Sequence, residues 1–181
     1  ITIIHGDDLV SSRKYIIDLK KSLQNPTTFE KENLTFSNIL QALKGNELFN
    51  EQNNIFIDEL LSSKKSIADS DRIIDLIKTT NKNIYFWEKS ELTKTVLSTF
   101  PKAQTKLFKI PKNIFNFLDS IKPNSKENVI NFHKTLETAD SDAIFYMILR
   151  QFRLLIALSN TGEDIDEVKR LAPWQKEKLK R

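Results

Sequence analysis

Two apolar runs end in the residues best suited to chemistry. The first, Ile1-Thr2-Ile3-Ile4, passes into His5-Gly6-Asp7-Asp8-Leu9-Val10-Ser11-Ser12-Arg13. A phosphate-binding loop occupies such a place and needs G-x-x-x-x-G-K-[ST]. Its glycines allow close backbone approach, its Lys meets the β- and γ-phosphates and its hydroxyl meets magnesium. Gly6 satisfies the first position, but Ser11, Ser12 and Arg13 stand where Gly, Lys and Ser/Thr are required. Asp7 and Asp8, inside the loop, repel phosphate. The pattern predicts a degenerate nucleotide loop that keeps its turn and loses its phosphate chemistry. The second run, Ile55-Phe56-Ile57-Asp58-Glu59, has the form of a Walker B strand. There Asp holds magnesium and Glu orients the attacking water. Both tasks depend on a triphosphate held by the first loop, and two acids between a strand and a helix N-terminus are also ordinary surface chemistry.

Other arrangements compete for the same residues. Asp7, Asp8 and Asp58 are the acids a phospho-acceptor receiver domain would use. That design also needs Ser/Thr after the fourth strand and Lys directly before Pro after the fifth. Trp87-Glu88 and Lys109-Ile110-Pro111 stand there instead, and clustered like charges without the Lys are poorly compensated. Leu48-Phe49 is a pair of large apolar residues in the polar segment KGNELFNEQNN. Exposed, it would fit a hydrophobic pocket on a partner; folded back, it would be core. His5 and His133 have no obvious ligand partners and read as structural, so no metal or cofactor is expected. Tyr85, Phe86, Trp87 and Met147 read as packing residues, and Arg150 and Arg153 as the solvated side of a helix. No Ser/His/Asp arrangement is evident.

The elements that must position these residues alternate between strand and helix through residue 110. ITIIH, NIFID (54–58), NIYFW (83–87) and TKLFKI (105–110) read as buried strands, with a weaker edge strand over 27–30. Helical spacing covers 8–23, then a stretch from a Thr35 cap to Gly45, then one capped by Asp69 or Ser70, then a short one from Ser90 to Pro101. The fold class implied is α/β, a parallel sheet with helices on both faces. Beyond Pro111 the strand signals stop. Ile114, Phe117, Leu118 and Ile121 form one stripe, and Val129, Phe132 and Leu136 form another. A long apolar helix capped by Ser141 follows, with a last piece over 163–171. The domains expected are an α/β domain over 1–110 and an all-helical domain over 111–181.

Composition supports a soluble chain. Of 181 residues, 39% are hydrophobic and 29% charged. Leu154–Leu158 and Ile144–Leu149 are the longest apolar stretches, far short of the roughly 20 residues of a bilayer span. With no Cys there is no disulfide framework or thiolate nucleophile. No leader-like stretch precedes Ile1, so a cytoplasmic location is the default expectation. Of the 28 basic and 24 acidic residues, six basic and one acidic fall in 169–181, giving that end +5 and leaving the body at −1. The excess charge is a basic end rather than a basic groove.

Taken in order, HGDDLVSSR, LTFSNILQALKGNELF, NIFIDEL, NIYFWEKSEL, KLFKIPKNIFNFLDSIKPNS, IFYMILRQFRLLIAL and RLAPWQKEKLKR span nearly the whole chain. This ordered set resembles the delta subunit of the bacterial DNA polymerase III clamp loader, a relative of the AAA+ ATPases. The resemblance implies an AAA+-like α/β domain, a helical lid and no intrinsic catalysis within the polymerase holoenzyme. Gly6, Ser11, Ser12 and Arg13 become its degenerate nucleotide loop, and Asp58 and Glu59 a Walker-B-like vestige. Leu48 and Phe49 become the apolar pair that opens the sliding clamp. The partners implied are the clamp and the other loader subunits, with primer–template DNA a secondary one and no membrane. The location implied is the bacterial cytoplasm at the nucleoid. The family's third, collar domain has no counterpart in these 181 residues. A divergent P-loop-type ATPase using Gly6, Asp58 and Glu59 is the alternative, and a receiver-like domain a further one.

Overall fold

Runs of β-branched and aromatic residues, too short for helices and bounded by turn residues, form the strands. The computed structural model describes residues 1–44, 54–63, 69–160 and 166–180. It divides into two compact units, Ile1–Lys109 and Ile110–Arg181. In the first unit, strands β1 (Thr2–Gly6), β2 (Pro26–Phe29), β3 (Asn54–Asp58), β4 (Asn83–Glu88) and β5 (Gln104–Phe108) alternate with helices. These are α1 (Leu9–Ser22), α2 (Phe36–Lys44), α3 (Ser70–Lys78) and α4 (Lys94–Leu97). The strands make one sheet in the order β2-β3-β4-β1-β5, and every pairing is parallel.

This order explains the two cores. The connection from β1 to β2 runs across the sheet in one direction, and the later connections run in the other. Right-handed crossovers therefore put α1 on one face and α2, α3 and α4 on the opposite one. On the first face, Ile4, Phe56 and Trp87 pack with Ile16, Leu9 and Leu19 of α1. On the second, Ile3, Ile55, Ile57, Ile84 and Phe86 pack with Ile39, Leu43, Ile73, Ile77 and Phe100. All five residues of β3 are buried, as a strand covered on both faces requires.

Several local expectations are corrected. The short helix before Pro101 starts later than Ser90, because Thr93 Oγ1 caps it by accepting from the Val96 N–H. The last strand ends at Phe108, and Ile110 packs instead with the helical unit. Asp69 precedes α3 in a left-handed conformation and makes no side-chain cap bond; its carboxylate meets Arg72 at 3.1 Å. Leu48 and Phe49, with Gly45, lie outside the described residues.

The second unit holds α5 (Lys112–Ser120), α6 (Glu127–Leu136), α7 (Ser141–Asn160), α8 (Asp166–Lys169) and α9 (Pro173–Lys180). Ile114, Phe117 and Leu118 pack on Ile144 and Met147, with Phe132 and Leu136 against them. Leu154 and Ala157 pack on Val168. Val129, expected inward, is 59% exposed, while Phe132 and Leu136 of the same stripe are half-buried against the cluster. Ser141 opens α7, but the side chain that caps there is Asp140, which accepts from the Asp142 N–H at 2.9 Å. Pro173 begins α9, where a missing N–H is harmless, and Gln175 reaches back to the Ala172 N–H at 2.9 Å. Among the described residues, no helix is long and apolar enough to cross a membrane.

Candidate functional site

The C-terminal ends of β1, β3 and β4 lie side by side, and the chain leaves β1 for one face of the sheet and β3 and β4 for the other. Such a switch point opens a crevice at the carboxyl edge of an α/β sheet. The residues singled out at the ends of β1 and β3 both reach this edge.

Gly6 ends β1 at φ +137°, and a Cβ there would lie 1.8 Å from the Phe108 carbonyl oxygen, so only glycine fits. Asp8 follows as the N-cap of α1, its Oδ1 accepting from the Ser11 N–H at 3.0 Å. The Gly6 N–H donates to Ser90 O at 3.2 Å and the Asp8 N–H to Phe108 O at 3.2 Å. The Leu9 N–H donates to Asp7 O at 3.0 Å and the Ser12 N–H to Asp8 O at 3.1 Å. A phosphate-cradling loop must aim such donors at its ligand. Here they are satisfied by the chain itself, and the Asp8 carboxylate takes the anion's place at the helix N-terminus. Ser11, Ser12 and Arg13, the degenerate end of the expected nucleotide loop, lie in the first turns of α1, within the 8–23 stretch whose spacing is helical.

Ser12 and Arg13 are turned toward β3 and β4. The fully buried Ser12 hydroxyl accepts from Trp87 Nε1 at 3.2 Å and donates to Leu9 O at 3.3 Å. The Arg13 guanidinium lies 4.1 Å above the Trp87 ring and 3.8 Å from Asp58 Oδ2. Asp58 is buried, and its Oδ1 has no hydrogen-bond partner among the described residues. Burial pushes the Asp58 carboxyl above its ordinary range; Lys20 and Arg13 pull it back, while Glu30 and Glu59 add to the rise. Glu59 adopts a left-handed backbone at φ 57°. That conformation, uncommon outside glycine and asparagine, is held by the Glu59 N–H donating to Trp87 O at 2.8 Å and by a Lys89 ion pair.

These groups border a cleft of about 210 Å³, smaller than the roughly 300 Å³ at which ligand pockets begin. Glu30, Lys31 and Glu32 close one side, Asp58, Glu59 and Ser63 another, and Arg13, Trp87 and Lys89 the rest. Two of its cations are already held by two of its acids. Among the described residues, no group of three or more His, Asp or Glu side chains could hold a metal ion.

Two residues that support the site escaped the sequence reading. Glu88 stood out in the sequence only as standing where a receiver domain needs Ser or Thr. It is fully buried and accepts from the Leu61 N–H at 2.8 Å, the Ser62 N–H at 3.0 Å and the Ser62 hydroxyl at 2.5 Å. Its carboxyl is pushed up by burial, against the pull of those three hydrogen bonds. Lys89, next along, fixes Glu59. His5 is structural, as its lack of ligand partners implied: Nδ1 accepts from the Leu92 N–H at 3.1 Å. Burial holds its imidazole below the ordinary value, with Glu91 opposing. The loops after β3 and β4 are thus each pinned by a side chain from a strand end.

Set against known proteins, the sequence matches no family profile, and no curated protein is similar to it.

Proposed function

We propose that this chain is a non-catalytic interaction module of a DNA-replication clamp loader, of the delta-subunit type, and that it binds the sliding clamp through Leu48 and Phe49. The observation that carries this reading is the state of the turn after β1. Its N–H groups at Gly6, Asp8, Leu9 and Ser12 are bonded within the chain, and Asp8 caps α1. Donors used in this way are not aimed at a phosphate, which supports a subunit whose partners, rather than itself, hydrolyse ATP. Binding primer–template DNA through the basic end and residence at the bacterial nucleoid belong to the same reading.

Two measurements test it. The purified clamp is captured by the wild-type chain and by a Leu48→Ala/Phe49→Ala variant; the reading expects capture by the first and at least a tenfold loss in the second. Equal capture by both removes the assignment of the pair, and no capture by either removes the clamp. Calorimetry with magnesium-ATP is expected to show no binding at micromolar concentrations. Heat at that level would instead favour the divergent ATPase, whose support is that Asp58 and Glu59 border one cleft and that Asp58 Oδ1 has no hydrogen-bond partner among the described residues. The receiver-like reading fares worse. That fold places β1 between β2 and β3, whereas β1 here lies between β4 and β5.

A further inference from the structure

We draw no further inference here: the strongest candidate, the exposed apolar side of α7 formed by Phe145, Leu149, Phe152 and Ile156, carries nothing because nothing in the structure shows what covers it.

Discussion

Replacing Glu88 with Gln sets two opposing effects against each other inside the first unit. The carboxylate is fully buried. Its Oε1 accepts from the Leu61 N–H at 2.8 Å, and its Oε2 from the Ser62 N–H and hydroxyl at 3.0 and 2.5 Å. An amide is isosteric, but one of its two ends is a donor. Whichever way it lies, one of the two backbone N–H groups faces an NH₂ and loses its acceptor. A buried donor left unsatisfied costs about 1–3 kcal/mol, and a hydrogen bond to a charged group is worth about 1.5–3. Removing the buried charge returns part of that. The Glu88→Gln variant is expected to be less stable by about 2 kcal/mol at neutral pH, and Glu88→Ala, which strands both N–H groups, by roughly twice as much. With a urea slope of about 2 kcal/mol/M the Gln variant's midpoint moves down by about 1 M. The assay is Trp87 fluorescence in a Trp174→Phe background, so that the signal reports the sheet unit.

The pH dependence supplies a second check on the same residue. Burial raises the folded carboxyl of Glu88 above its ordinary 4.5. Between that value and the raised one, the folded protein holds more proton than the unfolded chain, so stability falls as pH rises through the window. The Gln side chain does not titrate, and the gap between wild type and Glu88→Gln should therefore narrow as pH climbs. A gap that widens instead would mean that the three hydrogen bonds outweigh burial. A Gln variant as stable as wild type at neutral pH would refute the argument from the two backbone donors.

Three further outcomes follow from the same edge of the sheet. Gly6→Ala places a Cβ 1.8 Å from Phe108 O at φ +137°; the expected loss of stability exceeds about 3 kcal/mol, seen as a much lower urea midpoint or loss of soluble protein. Burial holds His5 below its ordinary 6.5, so its contribution is complete above that pH and is lost as pH falls toward the folded value. A His5→Asn variant, which keeps an acceptor for the Leu92 N–H, should lack this acid-side decline in pH-dependent urea titrations. Arg13→Met removes one of the two cations that lower the Asp58 carboxyl; carboxyl nuclear magnetic resonance should place its titration higher than in wild type.

The parallel sheet was legible because NIFID and NIYFW are continuous apolar runs, the pattern of strands buried on both faces. The degenerate loop was legible in part. Ser11, Ser12 and Arg13 announced that the residues for phosphate chemistry are missing, and the helical spacing over 8–23 already held all three, but nothing local singled out the Asp8 side chain as the group that caps α1. Arg13 meeting Asp58 and Trp87 depends on strand order, which sets residues 45 and 74 positions apart against one another. Glu88 was invisible for a related reason. Its partners, Leu61 and Ser62, lie 27 and 26 residues away, and a Glu at a strand end reads as solvated until a turn is seen folding over it. Val129 fits the stripe of α6 by spacing, and Phe132 and Leu136 of that stripe do pack against α5 and α7; only the arrangement of those helices decides that the packing stops short of Val129.

The two units dispose of their polar and apolar groups in opposite ways. At the sheet edge, Arg13 faces Asp58, Lys89 faces Glu59 and Glu88 serves the turn above it. An incoming anion would compete with Asp58 and Glu59 for the same two half-exposed cations, and such exposed pairs are each worth little. In the helical unit the reverse holds. The buried side of α7 is complete, while Phe145, Leu149, Phe152 and Ile156 are left in water. Covering them releases free energy without breaking any existing contact, because apolar surface has no internal partner to give up. Among the described residues, most charged groups at the sheet edge are thus met by one another, whereas the exposed side of α7 is apolar.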